Sequence, residues 1–422
     1  IKDLVAMVDM KMEELDKPKM SFFEVLTAMA IWKFADAPVD VAIVEVGMGG
    51  RWDATNVLDA DAAIIGPIDM DHMAWLGNTV EQIASEKVGI IKPGCTAVIG
   101  RQPHEEAVMP IIEEAARQNH ANLVRDGIEA EVVTRIPAVG GQVATLRTPN
   151  GTYAEVPIAK FGEHQAHNAL AALCAAEVVI PVNGALDGDL VAEALSTVRI
   201  PGRIEQIRTS PTIILDGGHN VNAAESLRAA IEENYDFQQL VGVIAMMGDK
   251  QVEEYLGVLE PLLSHVVVTE NSWRDRVMPA EDLKTVAERV FGAERVTCVP
   301  ELPDAIQEAV NMVDADDELG VGYGHGVLIC GSFTTAGDAR LMLEEKVNPD
   351  LKKPKSERVF QEAVEPEPRK DQDEADLDFE SDANPDFDIN DFGSVGPDLA
   401  EDEDADAPEV EHADAASSED MR

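Results

Sequence analysis

Apolar and polar positions alternate along this chain in blocks that read as strand, helix, strand, helix. Near the start, "SFFEVLTAMAIWKFA" puts Phe22, Leu26, Met29, Ala30 and Phe34 at helical spacing. Ser21 is placed as the N-cap, with Glu24 three residues on to close a capping box. Residues 1–36 as a whole read as helical. "VDVAIVEVG" (39–47) is a short apolar run and predicts a buried strand. "DAAIIGPI" (61–68) predicts a second strand, and "EQIASEKVGIIK" (81–92) a helix that stops at Pro93 and Gly94. "TAVIG" (96–100) predicts a third strand, followed by the helix "EEAVMPIIEEAARQ" (105–118). This alternation calls for a parallel sheet with crossover helices.

The period changes over residues 122–158. "EAEVVTRI", "GQVATLRT" and "TYAEVPI" are short strands separated by Gly and Asn-Gly turns, which predicts a small antiparallel patch. "GEHQAHNALAALCAAEVV" (162–179) is a helix. "TVRIPGRIEQI" (197–207) carries Pro-Gly at its middle and reads as a domain junction. Strand–helix alternation then resumes from "TIILDGG" through "LVGVIAMMG", "SHVVVTE", "RVTCVP" and "GVLICGS", with helices between them. A second α/β domain ending near residue 347 follows from that pattern.

Composition changes the picture mainly through charge. The chain has 422 residues, enough for two domains and a tail, and 45% of them are hydrophobic, enough for a sizeable core. The formal net charge is −48. A surface that acidic excludes nucleic acid and anionic membranes as partners, because no basic patch could displace phosphate counterions. Residues 371–420 hold 21 Asp or Glu and no Lys or Arg, nearly half of the excess. From about 349 on, the chain is poor in aliphatic residues and scattered with proline, so a disordered, solvated tail is expected. Phe379, Phe387 and Phe392 within it are candidates to dock a partner, although a solvated tail is the plainer reading. Cys95, Cys174, Cys298 and Cys330 form no CxxC pair, so neither a disulfide framework nor a zinc site is suggested. No apolar run reaches the length of a membrane span, and a cytoplasmic location fits.

Candidate chemistry sits at the predicted strand ends, where open α/β sheets bind ligands. Glu45 ends the first apolar run and is costly to bury without a partner, so a metal or a metal-bridged phosphate would suit it. An acid that simply reaches solvent is an equally good reading. The loop after it, "GMGGRW", has Gly47 and Gly49, but Trp52 stands where a third glycine of a dinucleotide fingerprint would be. "DMDHMAWLGNT" places Asp71 and His72 after the next strand. A neutral imidazole there can ligate a metal, although a lone histidine more often just caps a loop. Lys87, in "SEKVGIIKPG", is ordinarily a surface residue, but its apolar neighbours Val88, Ile90 and Ile91 call for partial burial. In the second domain, Asp216, His219 and Asn220 follow "TIIL". They suit a ribose, a metal-bound nucleotide or a reacting carboxylate, or form only an Asp-Gly-Gly turn.

Taken in order, "SFFEVLTA", "VDVAIVEVGMGGRWDATNV", "DMDHMAWLGNTVEQIASEKVGIIKPG", "GEHQAHNALAAL", "PGRIEQI", "ILDGGHN" and "LICGS" closely resemble folylpolyglutamate synthase/dihydrofolate synthase, within the Mur ligase superfamily. The resemblance runs over roughly residues 20–335. It implies an α/β, Mur-ligase-like protein of two domains. Residues 1–199 would be a P-loop-type ATP-binding central domain, residues 200–347 a smaller Rossmann-like glutamate-ligase domain, and residues 348–422 the disordered acidic tail. It implies a monomeric, ATP-dependent ligase that adds L-glutamate to dihydropteroate or to a folate. ATP would first phosphorylate the substrate carboxylate, and the glutamate amine would attack the acyl phosphate.

The resemblance also carries residue roles. Glu45 and His72 match magnesium ligands, and Lys87 matches a lysine carried as a carbamate, an anion that can hold a second Mg2+. Gln165 and Asn168 match helix residues facing ATP. Arg203 matches a phosphate-contacting arginine, and Asp216 and His219 match residues that meet ribose and γ-phosphate. The glycine turn after Glu45 is then structural. The family's phosphate loop would lie upstream, and this sequence has no G-x-x-x-x-G-K-[ST]. The one Gly-x-Lys near a strand, Gly248 and Lys250 in "MGDKQ", is in the other domain and is followed by Gln251. An N-terminally truncated ligase is therefore expected. The alternatives are a non-catalytic homologue that binds folate or nucleotide, and a Mur-type peptidoglycan amino-acid ligase, against which the "SFFEVLTA" opening argues.

Overall fold

The computed structural model describes residues 2–180, 184–315 and 324–347. Two helices come first, α1 (Lys2–Glu14) and α2 (Phe22–Asp36). The capping box forms as the sequence implies: the Ser21 hydroxyl accepts from Glu24 N, and the Glu24 carboxylate accepts from Ser21 N. Yet α2 buries none of its residues, and Phe22 is 80% exposed.

The expected strand over 39–47 is not there. Residues 41–46 run without strand structure, and Ile43 is 92% exposed. Apolar composition favours a strand only when neighbouring strands complete its hydrogen bonds, and the first sheet pairs without this stretch. Glu45 is consequently an exposed loop residue rather than the last residue of a buried strand.

The first sheet contains β1 (Ala62–Ile65), β2 (Thr96–Ile99) and β3 (Asn122–Arg125), all parallel and in that order. Between them lie a single-turn helix α3 (Met73–Leu76), then α4 (Val80–Lys87) and α5 (Glu105–Gln118). Ile83, Ala84, Val108 and Ile112 of the last two helices pack on Ala63, Ile65, Ala97 and Ile99. Helix α4 ends five residues earlier than the pattern suggests and continues as a 3-10 turn, Val88–Ile90. The cause is a close approach of two backbones. The loop after Glu45 lies on the end of α4, with Arg51 N donating to Glu86 O at 2.9 Å. A Cβ on Gly50 would sit 2.7 Å from Glu86 O, and one on Gly89 would sit 2.5 Å from Arg51 Cα. Glycine is required at both.

The antiparallel patch forms from β4 (Glu131–Ala138), β5 (Gly141–Arg147) and β6 (Thr152–Ile158), but it starts later than the expected 122, because residues 122–125 pair with β2 as the parallel strand β3. It shares a core with α6 (Glu163–Val179) through Leu146, Val156, Ala166, Leu170 and Leu173. Helix α7 (Gly188–Thr197) adds Val191 to that core and is an element the pattern reading above does not contain.

The second half is a six-stranded sheet in the order β11-β10-β9-β12-β8-β7. Its parts along the chain are β7 (Glu205–Thr209), β8 (Thr212–Leu215), α8 (Val221–Asn234), β9 (Gln239–Ile244), α9 (Val252–Leu259), β10 (His265–Glu270), α10 (Ala280–Phe291), β11 (Val296–Glu301), α11 (Leu302–Ala315), β12 (His325–Cys330) and α12 (Phe333–Val347). Only the edge strand β7 runs antiparallel. Helices α8, α9 and α10 cover one face, and α11 and α12 the other. The central strands are apolar on both sides, as a doubly covered parallel sheet requires. The chain leaves β8 outward to β9, then returns to insert β12 between them. That reversal opens a crevice at the carboxyl ends of β8, β12 and β9. The expected tail over 348–422, with Phe379, Phe387 and Phe392, lies outside the described residues. No described helix is long and apolar enough to cross a membrane.

Candidate active site

The carboxyl end of β1 faces the crevice of the larger sheet. Between them is a cavity of about 860 Å3 lined by Met48, Met70, Met73 and Trp75 on one side, and by Asp249, Lys250 and Arg276 on the other. Asp71, His72, His219 and Asn220 also line it.

His72 occupies the left-handed region (φ 51°) at the start of α3, an uncommon conformation for a non-glycine residue. Burial holds its imidazole below the usual range against the pull of Asp71, and the neighbouring basic groups Lys250, His219 and Lys87 add to the effect. A neutral ring is what metal ligation needs. Lys87 ends α4 and is half-buried. Desolvation lowers its pKa, while the Asp71 carboxylate opposes the shift.

Asp71 itself joins the two sheets. Its Oδ1 accepts from Lys250 Nζ at 2.7 Å, and its Oδ2 from Asn220 Nδ2 at 3.3 Å. His219 Nε2 lies 3.5 Å from Oδ2. Burial alone would raise its pKa, but His219 and Lys250 outweigh burial and hold the carboxyl far below the usual range.

On the larger sheet, Asp216 is 6% exposed, and burial pushes its pKa up. Both oxygens are already engaged, Oδ1 by Gly218 N at 2.8 Å and Oδ2 by Ile204 N at 3.0 Å. In this structure it shapes the loop that carries His219. The Tyr255 hydroxyl, fully buried, donates to Gly218 O at 3.2 Å and steadies the same loop. Arg203 stacks over the Phe333 ring at 4.1 Å, and that ring neighbours His219. Gln165 is buried and Asn168 exposed on the first turns of α6, with Asn168 Nδ2 donating to Gln165 Oε1 at 3.3 Å. His164, beside them, is pushed down to about 4, first by burial and then by Arg203, His167 and Arg135.

The structure thus gathers His72, Lys87 and His219 around Asp71, sets Asp216 and Arg203 behind His219, and keeps Gln165 and Asn168 on α6. Glu45 stands exposed in its loop, and no group of three His, Cys, Asp or Glu among the described residues is arranged to hold a metal. Two participants are not singled out by sequence motifs. Lys250 stands in a glycine loop that does not fit a phosphate-cradling motif, yet it follows β9 at the same sheet end as Asp216 and His219. Asp71 stands beside His72, and the sequence alone gives it no role.

Family comparisons decide what kind of site this is. The Mur ligase middle domain family matches residues 4–176, and the Mur ligase glutamate ligase domain family matches residues 202–333. The dihydrofolate synthase/folylpolyglutamate synthase of Mycobacterium tuberculosis is 43% identical over 358 residues, covering 81% of this chain and 73% of that one. This chain belongs to the dihydrofolate synthase/folylpolyglutamate synthase family. The Escherichia coli member is 32% identical over 330 residues, 78% of this chain and 70% of that one. Among solved structures, the M. tuberculosis folylpolyglutamate synthase with ADP and AMPPCP superimposes with a TM-score of 0.75, covering 81% of this chain and 76% of that one at 43% identity. The E. coli FolC structure with DHPP and ADP gives 0.65 at 27% identity, covering 78% and 72%. Members of this family are ligases, and the two-domain α/β architecture of this chain is theirs.

Proposed function

We propose that the chain is an ATP-dependent carboxylate–amine ligase of folate metabolism, adding L-glutamate to dihydropteroate and to tetrahydrofolate or its polyglutamates. The observation that carries this is family membership joined to one cavity in which His72, His219 and Lys250 converge from two sheets. Relatives solved with ADP, with a non-hydrolysable ATP analogue and with DHPP support ATP and a pterin-bearing acid as substrates.

The chemistry follows from the substrates. A carboxylate oxygen attacks the γ-phosphorus of ATP, the bond to the β-phosphate oxygen breaks, and ADP leaves. The amine of glutamate then attacks the acyl carbon, loses a proton, and expels inorganic phosphate as the amide forms. Two anions must meet in the first step, so positive groups have to surround them. His219 and Arg203 are the groups we assign to the phosphates, Asp216 to the ribose side of the same loop, and Gln165 and Asn168 to the nucleotide through α6.

Magnesium is part of this reading. Glu45, a neutral His72 and Lys87 fit it by donor chemistry only if Lys87 carries a carbamate, because an ammonium repels a cation while a carbamate offers oxygen ligands. When bound, Mg2+ supplies charge that offsets repulsion between nucleotide and carboxylate. The half-buried position of Lys87 near His72 and Asp71 supports that assignment. The apolar wall of Met48, Met70, Met73 and Trp75 suits a flat aromatic substrate, and the half-exposed Arg276 opposite suits a carboxylate. The names of the relatives favour folate substrates over the peptidoglycan-ligase alternative.

The test is ADP release with MgATP and L-glutamate, with and without dihydropteroate or tetrahydrofolate. Pterin-dependent release supports the ligase. Tight binding of the pterin acid and ADP with no release would favour the non-catalytic homologue.

A further inference from the structure

Asp71 is positioned in a way that its own helix does not account for. As a cap of α3, its oxygens would face the first N–H groups of that helix. One local bond is made, from His72 N to Oδ1 at 2.8 Å. The His72 imidazole lies farther off, with Nε2 3.9 Å from Oδ1. The nearer side-chain partners come from the larger sheet: Lys250 at 2.7 Å, Asn220 at 3.3 Å and His219 at 3.5 Å. Lys250 and Asn220 belong to different loops, after β9 and at the start of α8. One carboxylate therefore ties two separate loops of the second sheet to the end of β1. The Lys250 side chain is only 11% exposed, and an ammonium that dry needs a counter-charge, which Asp71 supplies. Among the described residues, Arg135 also pairs with Glu233, joining β4 to α8 away from this loop.

We propose that Asp71 is a positioning residue: its carboxylate draws His219 and Lys250 against the end of β1 and so sets the closed geometry of the ligation site. The proposal rests on the reading of the cavity as the ligase site, but its geometric content is independent of turnover. With Asp71 neutralised, Lys250 loses its counter-charge and the loop after β9 separates from the loop carrying His219. With the charge kept but the reach changed, most of the coupling survives.

Hydrogen exchange read by mass spectrometry on the full chain tests this without requiring activity. In Asp71→Asn, exchange in peptides covering 216–220 and 248–251 should rise about tenfold, the scale of a lost charge-assisted contact, while peptides in β5 stay unchanged. Asp71→Glu should restore protection to within about threefold of the parent. Lys250→Gln should loosen 248–251 as Asp71→Asn does, and the double variant should add nothing further there. Loosening confined to 70–77, with both distant loops unmoved in Asp71→Asn, would show a merely local role and overturn the proposal. Additive loosening in the double variant would overturn it too. Failure of the ligase reading alone would appear as normal exchange responses without pterin-dependent ADP release.

Discussion

Replacing His164 by glutamine should remove one specific source of acid sensitivity. The imidazole sits at the first turn of α6, and burial followed by the charges of Arg203, His167 and Arg135 takes its pKa from 6.5 to about 4. A depressed histidine stays neutral in the folded state while the unfolded chain binds a proton. Between those two values the unfolded state holds more protons, so stability rises with pH and is lost as pH falls from 6.5 towards 4. At pH 5.5 the loss relative to pH 7.5 is about 1.3 kcal/mol from this group, by the linkage relation. That pH stays above the sequence pI of about 4.3, where precipitation would intrude. The assay is urea unfolding of parent and His164→Gln at both pH values, following the same optical signal. His167 moves the other way, raised chiefly by its hydrogen bond with Asp126 despite burial, but it is common to both proteins and cancels in the difference. The parent should lose about 1.3 kcal/mol more than the variant on acidification. An equal loss in both proteins would refute a buried neutral His164.

Three further outcomes follow from the site. Tyr255→Phe deletes the hydroxyl that holds Gly218 O and should cost about 1 kcal/mol of stability, read from unfolding midpoints, with faster exchange in 216–220; an unchanged loop would show that the hydroxyl does not steady it. Gly50→Ala places a methyl against the backbone of Glu86 and Lys87, which cannot yield as a side chain could, and should cost about 1–3 kcal/mol while raising exchange at the end of α4. Lys87→Ala should abolish pterin-dependent ADP release while leaving the unfolding midpoint nearly unchanged, because the side chain is only half-buried; full turnover would eliminate the metal-carbamate role.

Much of the architecture was legible because its signals are local. Helix α5 carries strong apolar periodicity and forms over the residues that the pattern marks. The capping box of Ser21 and Glu24 needs only four residues to be seen. Helix α7 is absent from the pattern reading although its signal is local, with Asp187 as its cap and Leu190, Val191 and Leu195 at helical spacing. The other failures were non-local. The run 41–46 has strand composition, but a strand exists only through its neighbours, and nothing in its own residues reports them. The early end of α4 depends on Gly50 meeting Glu86, a contact between segments that the sequence keeps far apart. The site divides in the same way. His72, Lys87 and His219 could be named from motifs, whereas the role of Asp71 depends on partners 149 and 179 residues away. Lys250 was reachable by one consistent rule, that polar residues after every parallel strand of a sheet deserve equal weight.

The central claim is that ATP activates a carboxylate as an acyl phosphate before glutamate attacks. The most direct measurement uses dihydropteroate or tetrahydrofolate whose reacting carboxylate carries a heavy isotope of oxygen. The chain is incubated with MgATP and L-glutamate, and the released phosphate and the amide are analysed by mass spectrometry. If the account holds, one labelled oxygen passes from the carboxylate to inorganic phosphate for each glutamyl amide formed. Amide formation with unlabelled phosphate would contradict the acyl-phosphate route, and phosphate release without amide would contradict the ligase itself.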